Sequence, residues 1–166
     1  MRRAYEAGEG GLEAFVAAIE SAAHQCQDGK QGRRRFVGEL GSLCAGIHGD
    51  NMFRHPIRFL REMQGNPPLR FGTEGFSPDV VDDLNLARHY MAFVVVGYWL
   101  PMVLAIPVLY AWEVASFVRY KGHWSQKDMH SGMIGIRHGR AVARSGVDEL
   151  GPLVRRDLGT EAIDTS

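Results

Sequence analysis

The stretch MAFVVVGYWLPMVLAIPVLYAW, residues 91–112, decides how the rest of the chain must fold. It has no charged side chain, and it is long enough to cross a bilayer as one helix or to form the centre of a core. Gly97, Pro101 and Pro107 interrupt it, and a proline inside a helix removes a backbone hydrogen bond and clashes with the preceding turn. We therefore expect a broken apolar hairpin whose second helix begins near Pro107.

Amphipathic patterns on both sides of this stretch predict helices that need an apolar surface to cover. Apolar residues recur at helical spacing over 12–26 and again over 36–47. Pro56 can open a short helix, because the first helical position needs no amide hydrogen. Ser125 followed by Asp128 is typical of a helix start. These helices favour residues 91–112 as a core, with a membrane span as the alternative.

The sequence predicts an all-α fold, a compact bundle of about six helices around the broken central hairpin. Its 166 residues fit one domain with one core. The expected parts are N-terminal helices at 1–64, a loop at 65–77, central and C-terminal helices at 78–158, and a frayed polar tail at 159–166.

Composition places the chain among ordinary globular proteins. Apolar residues make up 45% and charged residues 23%, which excludes neither enzymes nor binding domains but argues against disorder. The net charge is zero, so a strongly basic nucleic-acid binder is not indicated, although 30–70 and 119–144 each carry +5. No apolar run typical of a secretory signal follows the first residues. We expect a protein that is cytoplasmic as synthesised, with membrane association as an open alternative.

A polar face is expected just before the apolar stretch. The sequence Ser77-Pro78-Asp79 is typical of a helix start, and we expect that helix to run at least to Val96. Asp82, Asn85 and His89 then share one face, because they lie three and four residues apart.

Two interpretations of this face remain open. In the functional one, His89 is an acid, base or ligand, Asp82 or Asn85 fixes its tautomer, and the neighbouring Arg88 holds an anionic group. In the structural one, the same side chains form a buried polar network that locks helix packing.

Glu113 is the first acidic residue after Asp83, and it follows a long uncharged segment. An acid in an apolar setting needs a partner. Antiparallel return of the hairpin brings it toward Arg88 or His89, and a glutamate beside a histidine is one way to build an acid–base pair. A plain buried ion pair, or a side chain that reaches solvent, is the alternative.

Asp128, Gly132, Gly135 and Gly139 are spaced by four, three and four residues, so they share one helix face. Aligned glycines favour close approach of another backbone over phosphate binding, because glycines that bind phosphate precede a helix. If the helix from Ser77 packs there, Asp128 joins the site around His89.

A metal ion is possible, but no sequence pattern supports one, and no other cofactor is indicated, so we assign none. Cys26 and Cys44 lack the spacing of a zinc site, and no two histidines lie three or four residues apart.

Several arginines can contact an anionic partner or a membrane surface, with an ordinary solvated face as the alternative. They are Arg33, Arg34, Arg35, Arg54, Arg58 and Arg61. Helix association through residues 132–139 adds a homo-oligomer to the expected partners.

One set of residues between 77 and 140 combines these polar and glycine positions: Asp82, Asn85, Arg88, His89, Tyr90, Glu113, Asp128, Gly132, Gly135 and Gly139. The set resembles a pattern of small helical domains of bacterial proteins, including effector or toxin modules. The resemblance leaves the first half of the chain unmatched. It implies a catalytic or substrate-binding role for the polar residues, and it specifies no reaction.

We hypothesise a small helical enzyme, hydrolytic in type, with His89 and Glu113 as the proton-transfer pair and Arg88 as the anion or oxyanion partner. The orienting and binding residues are Asp82, Asn85 and Asp128. Two alternatives stand beside it: a membrane-anchored or membrane-inserting protein that uses residues 91–112, and a non-catalytic interaction domain.

Overall fold

The computed structural model describes residues 10–48, 51–62, 69–81, 86–119 and 125–160. In chain order its helices are α1 Gly11–His24, α2 Lys30–Leu40, α3 Asn51–Arg54, α4 Pro56–Glu62, α5 Leu86–Trp99, α6 Met102–Arg119, α7 Gln126–Ser145 and α8 Leu150–Leu158. A π-helical turn, Gly41–Ala45, continues α2. Within these ranges the only β pairing is one isolated bridge, so the predicted all-α bundle is confirmed.

The broken hairpin is present, and its first half is the centre of the core. Residues 90–96 of α5 are all buried, and α5 packs mainly against α7 and the π-helical turn. The chain reverses at Leu100 and Pro101, and the Pro101 carbonyl accepts the first amide bonds of α6. An apolar helix enclosed on all sides needs no polar face, which explains the lack of periodicity in this stretch.

The second helix of the hairpin begins at Met102 and not near Pro107, which lies inside it. Pro107 has no amide hydrogen, so the carbonyl of Val103 lacks the helical hydrogen bond that it would otherwise accept. Val103 is 76% exposed, so water can bind that carbonyl and the helix continues.

Helix α6 turns an apolar face outward. Its exposed large side chains are Val103, Leu104, Tyr110, Val114, Phe117 and Val118. Its inward positions include Ala105, Leu109 and Glu113, so the acidic residue of this helix is buried. None of the helices in the described ranges combines the length and the apolar character that crossing a membrane requires.

The glycine face of α7 is where α5 approaches most closely. A Cβ atom at Gly135 would lie 2.6 Å from the backbone oxygen of Tyr90, and one at Gly139 would collide with the backbone at Val94. From α5, a Cβ at Gly97 would collide with the backbone of Ile136. Close backbone packing, which the sequence pattern favoured, therefore explains why glycine occupies these positions.

The helix predicted from Pro78 is wrong at its start. Residues 78–80 form a turn, with the Asp79 amide donating to Ser77 Oγ at 3.3 Å, and the described part of α5 begins at Leu86. The same segment makes a distant contact, because the Ser77 amide donates to the carbonyl of Leu158 at 2.8 Å.

The predicted frayed tail is also wrong at its first two residues. Gly159 forms the isolated bridge with Phe76, and the Thr160 amide donates to the carbonyl of Gly75 at 3.2 Å. The segment 75–77 thus ties the loop to the end of α8. The remainder of the tail, 161–166, lies outside the described residues.

We predict that Gly139→Ala lowers the free energy of unfolding by about 1–3 kcal/mol, because the added methyl group forces α5 and α7 apart. The measurement is urea unfolding followed by circular dichroism. Gly38→Ala is the matched control, since a Cβ at this position of α2 meets no atom within 4 Å. It should be neutral or stabilising by about 0.5–1 kcal/mol. Equal effects at both positions would contradict the packing argument.

Candidate functional site

Three helices bring His89, Glu113 and Asp128 together at one edge of the core. His89 lies in the first turn of α5, Glu113 in the second half of α6 and Asp128 in the first turn of α7. His89 Nε2 is 3.8 Å from Glu113 Oε1. One ligand atom from each residue lies within 4.8 Å of the others, so these three described residues could together hold a metal ion.

The N-terminus of α7 fixes one side of this cluster. Ser125 Oγ accepts a hydrogen bond from the Asp128 amide at 3.0 Å, which is the helix cap that the sequence predicts. The Asp128 carbonyl faces His89 Nε2 at 2.9 Å and accepts from Ser131 Oγ at 3.2 Å. Since a carbonyl oxygen can only accept, Nε2 carries the hydrogen, and in a neutral ring Nδ1 is the proton acceptor.

Packing holds the imidazole of His89 in place. Its ring centre lies 4.9 Å from that of Phe93, and a Cβ at Gly132 would lie 3.2 Å from Nε2. The His89 side chain is 14% exposed, whereas that of Glu113 is 4% exposed. The cluster therefore lies at the rim of the core, with the carboxylate inside and the ring nearer to solvent.

Of the three remaining predicted site residues, the structure describes Arg88. Arg88 is partly buried on α5, about a hundred degrees around the helix axis from His89. Asp82 and Asn85 lie outside the described residues.

A second polar network joins α5, α7 and α8, and the sequence pattern did not predict it. Tyr90 Oη and His138 Nδ1 are 2.7 Å apart, and His138 Nε2 is 2.8 Å from Asp157 Oδ2. Because a carboxylate accepts, Nε2 donates to Asp157, and the Tyr90 hydroxyl donates to Nδ1. Arg156 completes the network by donating to both carboxylate oxygens of Asp157.

Burial and pairing set the charges in this network. The hydrogen bonds from Arg156, and then the bond from His138, lower the pKa of Asp157 to about 2. Burial lowers the pKa of His138 and raises the pKa of Tyr90 well above its ordinary value. Near neutral pH the network therefore contains a neutral phenol, a neutral imidazole and an ionised carboxylate.

The order of hydroxyl, imidazole and carboxylate is that of a nucleophile, its base and an orienting acid. However, Tyr90 is fully buried between helices, so its hydroxyl cannot reach a substrate, and we assign the network to packing. No spacing rule signals it, because His138 follows Tyr90 by 48 residues and Asp157 follows His138 by 19.

A basic cleft of about 540 Å³ lies between α2, α4 and the end of α5. Arg34, Arg35 and Arg58 line it, and the guanidinium of Arg34 lies 4.8 Å from the ring centre of Trp99. The other arginines expected to meet anions do not line it: Arg33, Arg54 and Arg61. Half of that set is therefore gathered around a concave surface with an aromatic wall.

Comparison of the chain with protein-family models, with curated proteins and with solved structures gives no match. The fold and the site thus define the protein as an all-α bundle with a histidine and two carboxylates at the rim of its core.

We predict that Asp157→Asn makes the protein less stable at pH 7 and less sensitive to acid. A depressed pKa contributes stability above the unfolded value, near pH 4, and this contribution is lost as the pH falls toward 2. The carboxylate is partly exposed, so we expect a difference on the order of 1 kcal/mol. Urea unfolding at pH 7 and pH 3 measures it. The exposed Asp148→Asn is the control, and an identical pH dependence in wild type and Asp157→Asn would refute the assignment.

Proposed function

We propose that the chain is a small helical hydrolase whose active site is formed by His89, Glu113 and Asp128. One observation carries the proposal: a histidine and two carboxylates from three helices converge where the core meets solvent. Three titratable groups gathered there are costly for folding, because each loses hydration. Such arrangements are frequent at catalytic sites, although structural networks also produce them.

The geometry suggests how protons move. His89 Nδ1 accepts a proton from a water molecule as the water oxygen attacks the substrate. Glu113, 3.8 Å from Nε2, stabilises the imidazolium that forms, and the Asp128 carbonyl keeps the ring oriented. The imidazolium then returns its extra proton to the leaving group, which restores the neutral ring.

Three further residues complete the proposal on sequence grounds. Arg88 binds an anionic group of the substrate or the developing oxyanion, because its guanidinium offers several donors. Asp82 and Asn85 orient the histidine or the substrate. The resemblance to bacterial effector and toxin modules adds a cellular expectation, namely that the activity arrests growth when the chain is produced inside bacteria.

We predict that His89→Gln and Glu113→Gln each reduce hydrolysis by about a hundredfold or more, because each removes one partner of the proton transfer. Turnover is measured on a panel of phosphodiester, carboxylic ester and peptide substrates, alongside growth of bacteria that express each variant. His130→Ala is the control, since this exposed histidine of α7 lies outside the cluster. Circular dichroism establishes that each variant folds. Wild-type turnover in a folded His89→Gln variant would rule out the proposed role.

A second candidate function is non-catalytic binding of a polyanion, and the basic cleft favours it. Arg35 and Arg58 come from different helices, and Arg34 is stacked on Trp99 at the same opening. Convergent guanidinium groups match phosphate geometry, and an aromatic wall adds a surface for stacking. Glu62 offsets part of the charge through its bond with Arg58 at 3.1 Å.

We predict that the double variant Arg35→Ala, Arg58→Ala binds inorganic polyphosphate about tenfold more weakly than wild type, with a shallower dependence on salt. Titration calorimetry at two salt concentrations measures both quantities. Arg144→Ala removes one exposed positive charge from α7, outside the cleft, and should leave the affinity near the wild-type value. If the cleft variant and the control weaken binding equally, the protein attracts polyanions only through diffuse charge.

A further inference from the structure

The cluster of His89, Glu113 and Asp128 has the composition of a divalent metal site. It combines one imidazole with two carboxylates, a donor set suited to first-row ions such as Zn²⁺ and Mn²⁺. Each donor comes from a different helix, and the side chains meet where those helices pack. The helices thus provide a scaffold for the three donors.

The three donor atoms are close enough to converge on one ion. Ligand atoms around a Zn²⁺ or Mn²⁺ ion lie about 3.0–3.4 Å apart, because each is about 2.1 Å from the metal. His89 Nε2 is 3.8 Å from Glu113 Oε1, and one donor atom of each side chain lies within 4.8 Å of the others. Binding therefore requires the donors to move closer together, and it replaces the 2.9 Å contact between Nε2 and the Asp128 backbone carbonyl.

Gly132 keeps space beside the histidine nitrogen. A Cβ atom at this position would lie 3.2 Å from His89 Nε2 and 2.6 Å from Leu109 Cδ1. The glycine lies one helical turn after Asp128 on the same face of α7, so a larger residue there would crowd the cluster.

We infer that His89 Nε2, a Glu113 carboxylate oxygen and an Asp128 carboxylate oxygen bind one divalent transition-metal ion, with Zn²⁺ as the preferred probe. On binding, the ring changes tautomer: the hydrogen on Nε2 leaves to solvent, Nδ1 takes up a proton from solvent, and the Nε2 lone pair enters the coordination sphere. The inference rests on the site of the proposed function and changes its chemistry, because a bound ion supplies an activated water.

The test is metal binding by the ion-free protein, measured without reference to catalysis. Wild-type protein is stripped with a chelator, dialysed, and titrated with Zn²⁺ by calorimetry, while equilibrium dialysis with elemental analysis gives the stoichiometry. We expect one ion per chain, a higher melting temperature with Zn²⁺, and much weaker binding of Mg²⁺, which prefers oxygen ligands. Co²⁺ should give visible absorption bands typical of nitrogen and oxygen coordination.

Variants locate the ion. Glu113→Gln and Asp128→Asn each remove one charged ligand and should weaken Zn²⁺ binding at least about tenfold. Asp128→Asn keeps the backbone amide that donates to Ser125 Oγ, so the start of α7 should be preserved. This variant therefore still tests the site if Glu113→Gln fails to fold. His24→Ala removes an exposed histidine at the end of α1 and controls for surface binding. Equal affinity in wild type and in both cluster variants, or no binding above the background of a control protein, overturns the inference.

The metal inference and the hydrolase proposal can fail separately. Stoichiometric Zn²⁺ binding that the cluster variants abolish supports the metal site even if no substrate is hydrolysed. Hydrolysis that requires His89 and persists in chelator supports the acid–base proposal, and the metal site is overturned if the same protein does not bind Zn²⁺ at the cluster.

Discussion

The close contact between α5 and α7 determines where the other polar residues lie. Gly135 and Gly139 let the backbone of α5 approach α7 within a distance that any side chain would prevent. At that separation, side chains at the edges of the contact meet directly. The first turn of α5 therefore presents His89 to Asp128, and the next residue, Tyr90, reaches His138.

Helix α6 converts this two-helix contact into a cluster. It returns antiparallel to α5 after the break at Leu100 and Pro101, so residues late in α6 lie beside residues early in α5. This places Leu109 against Gly132 and Glu113 beside His89. The arrangement has a consequence for solubility, because the apolar side of α6 that does not face α7 remains exposed.

The features predictable from sequence were those carried by local rules. The break at Pro101, the Ser125 cap and the glycine face of α7 each involve residues within a few positions of one another. The contact between Glu113 and His89 was predicted from the antiparallel return of the hairpin, because its two arms have similar lengths.

The features that the sequence did not reveal depend on contacts between distant segments. Ser77 has the signature of a helix start, but residues 78–80 form a turn, and the Ser77 amide bonds to the distant carbonyl of Leu158. The partnership of Tyr90 with His138 and Asp157 joins three helices and has no characteristic spacing. The orientation of α6 could not be read either, because an almost uniformly apolar helix has no periodicity to indicate its buried face.

The two polar networks on α5 differ in role, because the buried network fixes the packing of α5 on α7 and the cluster at the rim depends on that packing. Tyr90 and His138 are buried and satisfied, with Asp157 ionised by its contact with Arg156, so this network fixes the register of α5 on α7. His89 is the adjacent residue, and the same register sets its distance from Asp128. A shift of α5 by one residue would move both rings away from their partners and break both networks. The buried network therefore positions the rim cluster, and substitutions at His138 should disturb His89 even though the two histidines do not touch.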